Sequence, residues 1–370
     1  MTFALTQEQQ MLQETTRQFL EDRADSKIVR DLMESPDGFD SDLWKAGAEL
    51  GWHSLAIPEE YGGVGYGFAE TSIVIEELGR ALFPGPFLPT VVMAANAILL
   101  AGSEEQKQEL LPDVAAGETI MTMALFEGSH GAGPRDIAMR ATAAEGGWVL
   151  DGVKRYVLYG NIADTLIVAA QTDGGLSLFL VPGDADGLSV TVVPTLDATR
   201  RETDVSFDHV VVKELLGEEG SAEPVIERVL LLANIALAVE QIGGAQWCLE
   251  TAVEHAKTRF QFGRAIGSFQ AIKHKCADML VAVEHGKSAA YWAARNVDDE
   301  AETRIASPMA KAVCSDAYVS AAGETIQILG GTGFTWEHDI HLYLKRAKST
   351  SLMFGGVRHQ RRLLADALGF

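Results

Sequence analysis

The chain has 370 residues, 47% of them hydrophobic, and a formal net charge of −22 at neutral pH. That length exceeds the size at which one core stops growing, so two or three domains are expected. So negative a surface argues against nucleic acid or an anionic membrane as principal partner. Any phosphate-bearing ligand then needs locally gathered Lys and Arg or helix N-termini. The three cysteines, Cys248, Cys276 and Cys314, fall in helical apolar patterns without a CxxC spacing, which predicts free thiols in a reducing compartment. Met1 leads at once into polar residues, and the longest apolar run is too short to cross a bilayer. A cytoplasmic protein is expected.

Thr6-Gln7-Glu8-Gln9 reads as a capping box. Met11, Leu12, Phe19 and Leu20 follow at helical spacing, which predicts an amphipathic first helix. A second helix fits Asp40 to Leu50, stopped by Gly51. Ile57 to Gly63 is a turn-rich loop, because proline and paired glycines continue neither period. Phe68 to Leu82 is helical again. Pro84, Pro86 and Pro89 then make a rigid connector, and Val91 to Ala101 an apolar helix. Ser103-Glu104-Glu105-Gln106 caps a further helix that ends near Ala116-Gly117. Residues 1–118 are therefore predicted to form an all-helical domain.

The period then shortens. Ile120 to Phe126, Trp148 to Leu150, Thr165 to Ala170, Leu176 to Val181 and Leu188 to Val193 are short β-type runs between Gly-, Asp- and Pro-containing turns. The connections are too short for crossover helices, so residues 119–220 are predicted to form a small antiparallel barrel or sandwich. From Glu223 onward the pattern is helical, broken at Gly263–Gly267, Asp298–Glu300, Gly330–Gly333 and Gly355–Gly356. Four long helices with short loops predict an antiparallel four-helix bundle over 221–370. The fold class is mainly α with a central β domain.

Within that bundle, Val229 to Val239 is almost continuously apolar, broken by Asn234 and closed by Glu240. A lone carboxylate on such a face is costly unless paired or protonated. Glu240 is thus either a structural ion-pair partner or a base with a raised pKa. Gly243-Gly244 admits the close approach of another element. Glu337, His338, Asp339 and His341 crowd metal-ligand types together without an HExxH pattern, and no metal site is expected. Arg358, Arg361 and Arg362 form a solvated helix face or meet the phosphates of a ligand.

Five motifs carry a resemblance. PEEYGG at 58–63, SEEQKQELLPDVAAGE at 103–118, RFQFG at 259–263, SFQAIKHKCADM at 268–279 and QILGGTGF at 327–334 together resemble the acyl-CoA dehydrogenase family, in the same order and across the whole chain. The resemblance implies an FAD enzyme that oxidises an acyl-CoA thioester to its α,β-enoyl form. It also implies electron transfer to an electron-transfer flavoprotein, and a tetramer built on the C-terminal bundle. It places Arg259 and Phe262 on the FAD of a neighbouring subunit, with Arg259 at the pyrophosphate. Gln270 falls toward the adenosine half. Gln327, Gly330 and Gly331 match a pyrophosphate-facing loop, where glycines permit close backbone approach. Arginine suits the role, as a rigid fork for paired anionic oxygens. The competing expectation is that Arg259 pairs with a nearby carboxylate and the glycines only turn the chain.

The chain departs from the family at three places. The strand that supplies Trp and then Thr or Ser to the flavin ring reads Tyr156-Val157-Leu158 here, so Tyr156 and Leu158 take the flavin-facing positions. The TEPxAGSD-like stretch has become Leu125-Phe126-Glu127-Gly128-Ser129-His130-Gly131. The usual base loop reads Met353-Phe354-Gly355-Gly356, and Phe354 cannot abstract a proton. The alternative base position on the first bundle helix is Ala233. Glu240 lies seven residues along the same face, about 10 Å by helical rise, where it could meet the α-carbon of a bulky substrate. It would remove the α-proton while the β-hydrogen leaves as hydride to flavin N5. These departures, with FTWEHDIHLYLKRAKS at 334–349, resemble the actinobacterial branch that handles steroid side chains and other bulky acyl-CoAs, often as α2β2 heterotetramers. Besides a homotetrameric or heterotetrameric enzyme, the sequence therefore allows a non-catalytic subunit supporting the flavin site of a homologous partner.

Overall fold

The computed structural model describes residues 5–128 and 131–370. The chain runs α1 (Gln7–Arg23), α2 (Ser26–Glu34), α3 (Ser41–Glu49) and α4 (Phe68–Arg80). A buried π-helical stretch, Phe87–Ala94, then continues into α5 (Ala95–Ala101), and α6 (Glu104–Ala116) follows. The β region comprises β1 (Met121–Ala124), β2 (Ala141–Ala144), β3 (Gly147–Leu158), β4 (Thr165–Thr172), β5 (Gly175–Pro182), β6 (Leu188–Val192) and β7 (Glu202–Val212). Then come α7 (Ala222–Thr258), the hairpin β8 (Phe260–Gln261) and β9 (Arg264–Ala265), α8 (Gln270–Arg295), α9 (Glu300–Leu329), α10 (Ile340–Leu352) and α11 (Val357–Ala367). The expected mainly helical fold with a central β domain is what forms. The C-terminal part holds three long helices and two shorter ones rather than four long ones.

Local chemistry sets the helix ends. Thr6 and Gln9 exchange bonds of 3.1 and 3.2 Å, and Ser103 and Gln106 do the same. These satisfy amide groups that an isolated helix start leaves without partners. Gly117 ends α6 at φ +69°, a conformation costly for any side chain. Two elements lacked a strong sequence signal. α2 buries only Val29. Pro89, expected in a rigid connector, lies inside the π-helical stretch, every residue of which is buried.

Contacts divide the chain into two compact units, one of residues 1–30, 68–83 and 234–370, the other of 31–67 and 84–233. The second unit contains two sheets, ordered β1-β4-β5 and β2-β3-β7-β6. Their inner faces share a core that includes Leu150, Val168, Phe179, Val205 and Phe207. Most pairings are antiparallel, as expected, but β1 runs parallel to β4. A parallel pair needs a crossover, and here the β2–β3 hairpin of the other sheet supplies it instead of a helix. Strand β7, central in its sheet, was not legible as a single run. Thr203, Val205 and Phe207 alternate inward, but a bulge at Asp208-His209 resets the alternation before Val210 and Val212. His209 there takes φ 54°, and its amide donates to Asp151 at 2.8 Å.

In the first unit, α4 and α7 cross at backbone contact. A Cβ on Gly243 would lie 1.9 Å from the Glu76 carbonyl, and one on Gly79 would lie 2.2 Å from that of Glu240. Gly244 faces the Tyr318 ring, where a Cβ would sit at 2.4 Å. The close approach expected at Gly243-Gly244 is therefore real. No helix among the described residues is long and apolar enough to cross a membrane.

Candidate functional site

The end of α7 carries the first part of the site. Phe262 (φ 52°) and Gly263 (φ +77°) form the two-residue turn of the β8–β9 hairpin, both with positive φ, as a type I′ turn requires. Phenylalanine is an uncomfortable choice there, since a Cβ disfavours that region. It is nonetheless 91% exposed, with Phe260 beside it at 63%. A strained, exposed aromatic pair makes physical sense when something outside the isolated chain covers it.

Arg259 lies one residue past α7 and is exposed. Its carbonyl accepts from the Ile266 amide at 2.8 Å, closing the hairpin base. Its guanidinium has no carboxylate partner among the described residues, so the competing ion-pair expectation is not met within the chain. His255, one turn back, is pushed below the usual histidine range by burial and then by the Arg259 and His338 charges. The end of α7 therefore neighbours the loop after α9. On that loop Gly330 takes φ +61°, and a Cβ on Gly330 or Gly331 would meet no heavy atom within 4 Å. Gln327 on the last turn of α9 and Gln270 at the start of α8 are also exposed. An unpaired guanidinium and side-chain amides, beside glycines whose missing Cβ lets a ligand approach the backbone, suit a pyrophosphate. In this acidic protein such a cradle is a local exception.

Tyr156 and Leu158 belong to the other unit. Between Lys154 and Val157 the β3–β7 register slips, and Tyr156, at φ 55°, is turned outward and 42% exposed. Bulges of this kind re-aim a side chain beside functional sites. Leu158 is 4% exposed, and its carbonyl accepts from the Thr122 hydroxyl at 2.7 Å. Its side chain is buried, as is that of Val157 before it, because the register slip at Tyr156 breaks the strand's alternation, so of the two residues Tyr156 alone offers side-chain surface to a cofactor. Of the altered TEPxAGSD-like stretch, Ser129 and His130 lie outside the described residues.

Glu240 is buried and meets Arg346 at 3.0 Å. A counter-charge is what a buried carboxylate needs. Around the pair, the Gln241 amide donates to the Ser315 hydroxyl (3.0 Å) and the Thr350 hydroxyl (3.2 Å), and Lys311 donates to the Thr350 carbonyl (2.7 Å). Burial pushes Lys311 down to about 7, against the opposing pull of Cys314 and Glu240. Sequence reasoning passed over Lys311 and Arg346. The signal was a basic residue on the inward stripe of an alanine-rich helix, visible only once the packing faces are known. Ala233, the alternative base position, is fully buried. In the Phe354-Gly355 turn both carbonyls accept from Gln360.

The residues weighed as metal ligands have other partners. Asp339 pairs with Arg30 at 2.7 Å, His338 accepts from the Ile340 amide, and His341 stacks on Trp336. Arg361 pairs with Asp316 at 2.7 Å.

A helical segment, a two-sheet β domain and a helical bundle follow one another along the chain. Three domain families match in turn: acyl-CoA dehydrogenase N-terminal domain over 6–118, middle domain over 122–210 and C-terminal domain over 224–369. The chain belongs to the acyl-CoA dehydrogenase family, an oxidoreductase family whose cofactor is FAD. It is 36% identical over 359 residues to the acyl-CoA dehydrogenase IpdE2 of Mycobacterium tuberculosis, covering 97% of this chain and 96% of that protein. Among solved structures it is similar to the ChsE4–ChsE5 complex of Mycobacterium tuberculosis (TM-score 0.91, 29% identity, covering 100% of this chain and 99% of that one). It is also similar to a variant of the Tcur3481–Tcur3483 steroid ACAD (TM-score 0.87, 32% identity, covering 98% and 97%).

Proposed function

We propose that the protein takes part in FAD-dependent α,β-dehydrogenation of a bulky acyl-CoA thioester, as one subunit of a heterotetramer with a homologous chain. The observation that carries this reading is the exposed Arg259 guanidinium, without a carboxylate partner among the described residues, in the unit that also exposes the bare Gly330-Gly331 backbone. Arg259, Gln327, Gly330 and Gly331 would hold the pyrophosphate, Gln270 the adenosine half, and Phe262 and Tyr156 would pack against the cofactor. FAD, when bound, accepts the two electrons that leave with the substrate β-hydrogen, and an electron-transfer flavoprotein takes them onward. Glu240 is the candidate base for the α-proton, with Arg346 keeping its carboxylate oriented. Fixed donors must stabilise the charge that builds on the thioester oxygen. Support for a bulky, steroid-type acyl group comes from the similarity to the steroid ACAD and from the altered base loop at Phe354.

A second reading has its own observation. The Glu240–Arg346 pair satisfies a purely structural role, and the chain would then lend a flavin half-site to a partner that holds the base. The ChsE4–ChsE5 relative is a complex of two named chains, which suits either version.

The test is flavin content by visible absorbance, for the chain alone and co-purified with a homologous chain. Flavin bound in at least one of the two is expected. Arg259→Ala should weaken FAD binding about tenfold or more, since a hydrogen bond to a charged group is worth roughly 1.5–3 kcal/mol. A protein colourless in both preparations, with unchanged behaviour in the variant, would overturn the proposal. Glu240→Gln separates the two readings: flavin reduction by substrate collapses if Glu240 is the base and persists if the partner supplies it.

A further inference from the structure

We infer that the buried Lys154 ammonium and the half-buried Glu127 carboxylate form a clasp that positions the 131–139 segment and Tyr156 for the flavin, neither residue touching the cofactor itself. The inference rests on the flavin role proposed above for Tyr156, and everything it invokes lies in one unit.

Lys154 is 0% exposed. Its ammonium donates to the Leu125 carbonyl at 2.8 Å and to the Glu127 carboxylate. The same carboxylate accepts from the Ala138 and Met139 amides, at 3.0 Å each. One side chain thus ties the exit of β1 to the far end of the segment. Within the segment Asp136 accepts from the Ala132 and Gly133 amides at 2.8 and 3.2 Å. Next along the strand, the Arg155 amide donates to the Phe126 carbonyl at 2.8 Å, and the Arg155 guanidinium pairs with Asp204 at 2.8 Å. Lys154 and Arg155 therefore zip the exit of β1 to β3. The register slip that turns Tyr156 outward follows immediately.

Burying an ammonium here is expensive. Desolvation lowers Lys154 to about 8, against the pull of Glu127. Burial pushes the Glu127 carboxyl up, but Lys154 and the two amides together hold it below the usual range. A methionine would fill the same space without a charge to desolvate, and buried pairs are often replaceable by apolar residues at no loss of stability. What an apolar side chain cannot do is donate at once to the Leu125 carbonyl and to a carboxylate that also accepts from two named amides. The geometry specifies position, at the base of an exposed residue in a strained conformation.

The test is the double variant Lys154→Met/Glu127→Gln, which leaves no unpaired charge, in whichever assembly of the wild type binds FAD. Three readouts apply: FAD dissociation constant by fluorescence titration, flavin visible spectrum at saturation, and hydrogen exchange of the Ala138 and Met139 amides without cofactor. A melting temperature close to wild type, exchange faster by at least tenfold, FAD binding weaker by about tenfold and an altered visible band are expected. Unchanged affinity and spectrum in a folded variant would reduce the pair to a structural role and overturn the inference. Should the double variant fail to fold, Glu127→Gln alone keeps an acceptor for Lys154 and is expected to show the same changes more weakly. No change in it is equally adverse. If the wild type binds no FAD in any assembly, the functional reading falls on its own, while wild-type amide exchange in the variant would still remove the clasp.

Discussion

At Lys311 an ammonium is fully buried on α9, held by a carbonyl of α10 and a hydroxyl on its own helix. Its pKa near 7 lies well below the 10.5 of a free lysine. Between those values the unfolded chain carries a proton that the folded chain lacks, so stability attributable to Lys311 rises with pH across that window. Below about pH 7 both states are protonated and the penalty is complete. The stability gap between Lys311→Met and wild type, from denaturant melts, should therefore move in favour of the wild type as pH rises from 7 to 10. A gap flat across that range would show that Lys311 is not strained by burial. For the neighbouring pair, Glu240→Ala is expected to cost about 3–5 kcal/mol, because the buried Arg346 would lose the Glu240 carboxylate. Such residues were only half legible: the isolation of Glu240 in an apolar run was plain, but its partner lies 106 positions away.

Helices α4 and α7 show how an element is placed by what it lacks. Gly243 admits the Glu76 carbonyl to within the space of a missing methyl group. Gly243→Ala must push the helices apart, and a loss of roughly 1–3 kcal/mol or more is expected, measurable as a shifted denaturant midpoint. The β8–β9 hairpin makes the opposite point. Its turn would prefer Asn where Phe262 stands. Phe262→Asn is therefore expected to melt slightly higher than wild type as the isolated chain while binding FAD more weakly. A variant with unaltered flavin affinity would remove Phe262 from the site. Helix starts were legible from residues three apart, as at Thr6 and Ser103. Strand β7 and the π-helical run were not, since a bulge and a fully buried face both erase periodicity.

Across the whole molecule, a net charge of −22 coexists with exposed arginine, glycine and aromatic residues at Arg259, the β8–β9 hairpin and the loop after α9. An acidic exterior repels nonspecific anions, and the proposed phosphate site at those residues is a local departure from it. Its exposed aromatic side chains also account for the expectation of a partner subunit. If FAD bridges two chains, adding it should raise the fraction of assembled oligomer in analytical ultracentrifugation, by linkage. An oligomer distribution indifferent to FAD would argue for a cofactor bound within one chain.

The sequence by itself determined the helical–β–helical order, the caps, the glycine-mediated helix crossing and the family, because these rest on short-range periodicity, turn chemistry and ordered motifs. Only the tertiary structure decided that Glu240 is paired with Arg346, that Leu158 faces inward while Tyr156 is turned out, that β1 and β4 run parallel, and that Lys154 and Lys311 are buried. Each of those depends on which residues distant in the chain share a low-dielectric interior. There the strength of a charge or hydrogen bond is set by its neighbours in space, and no spacing along the chain encodes them.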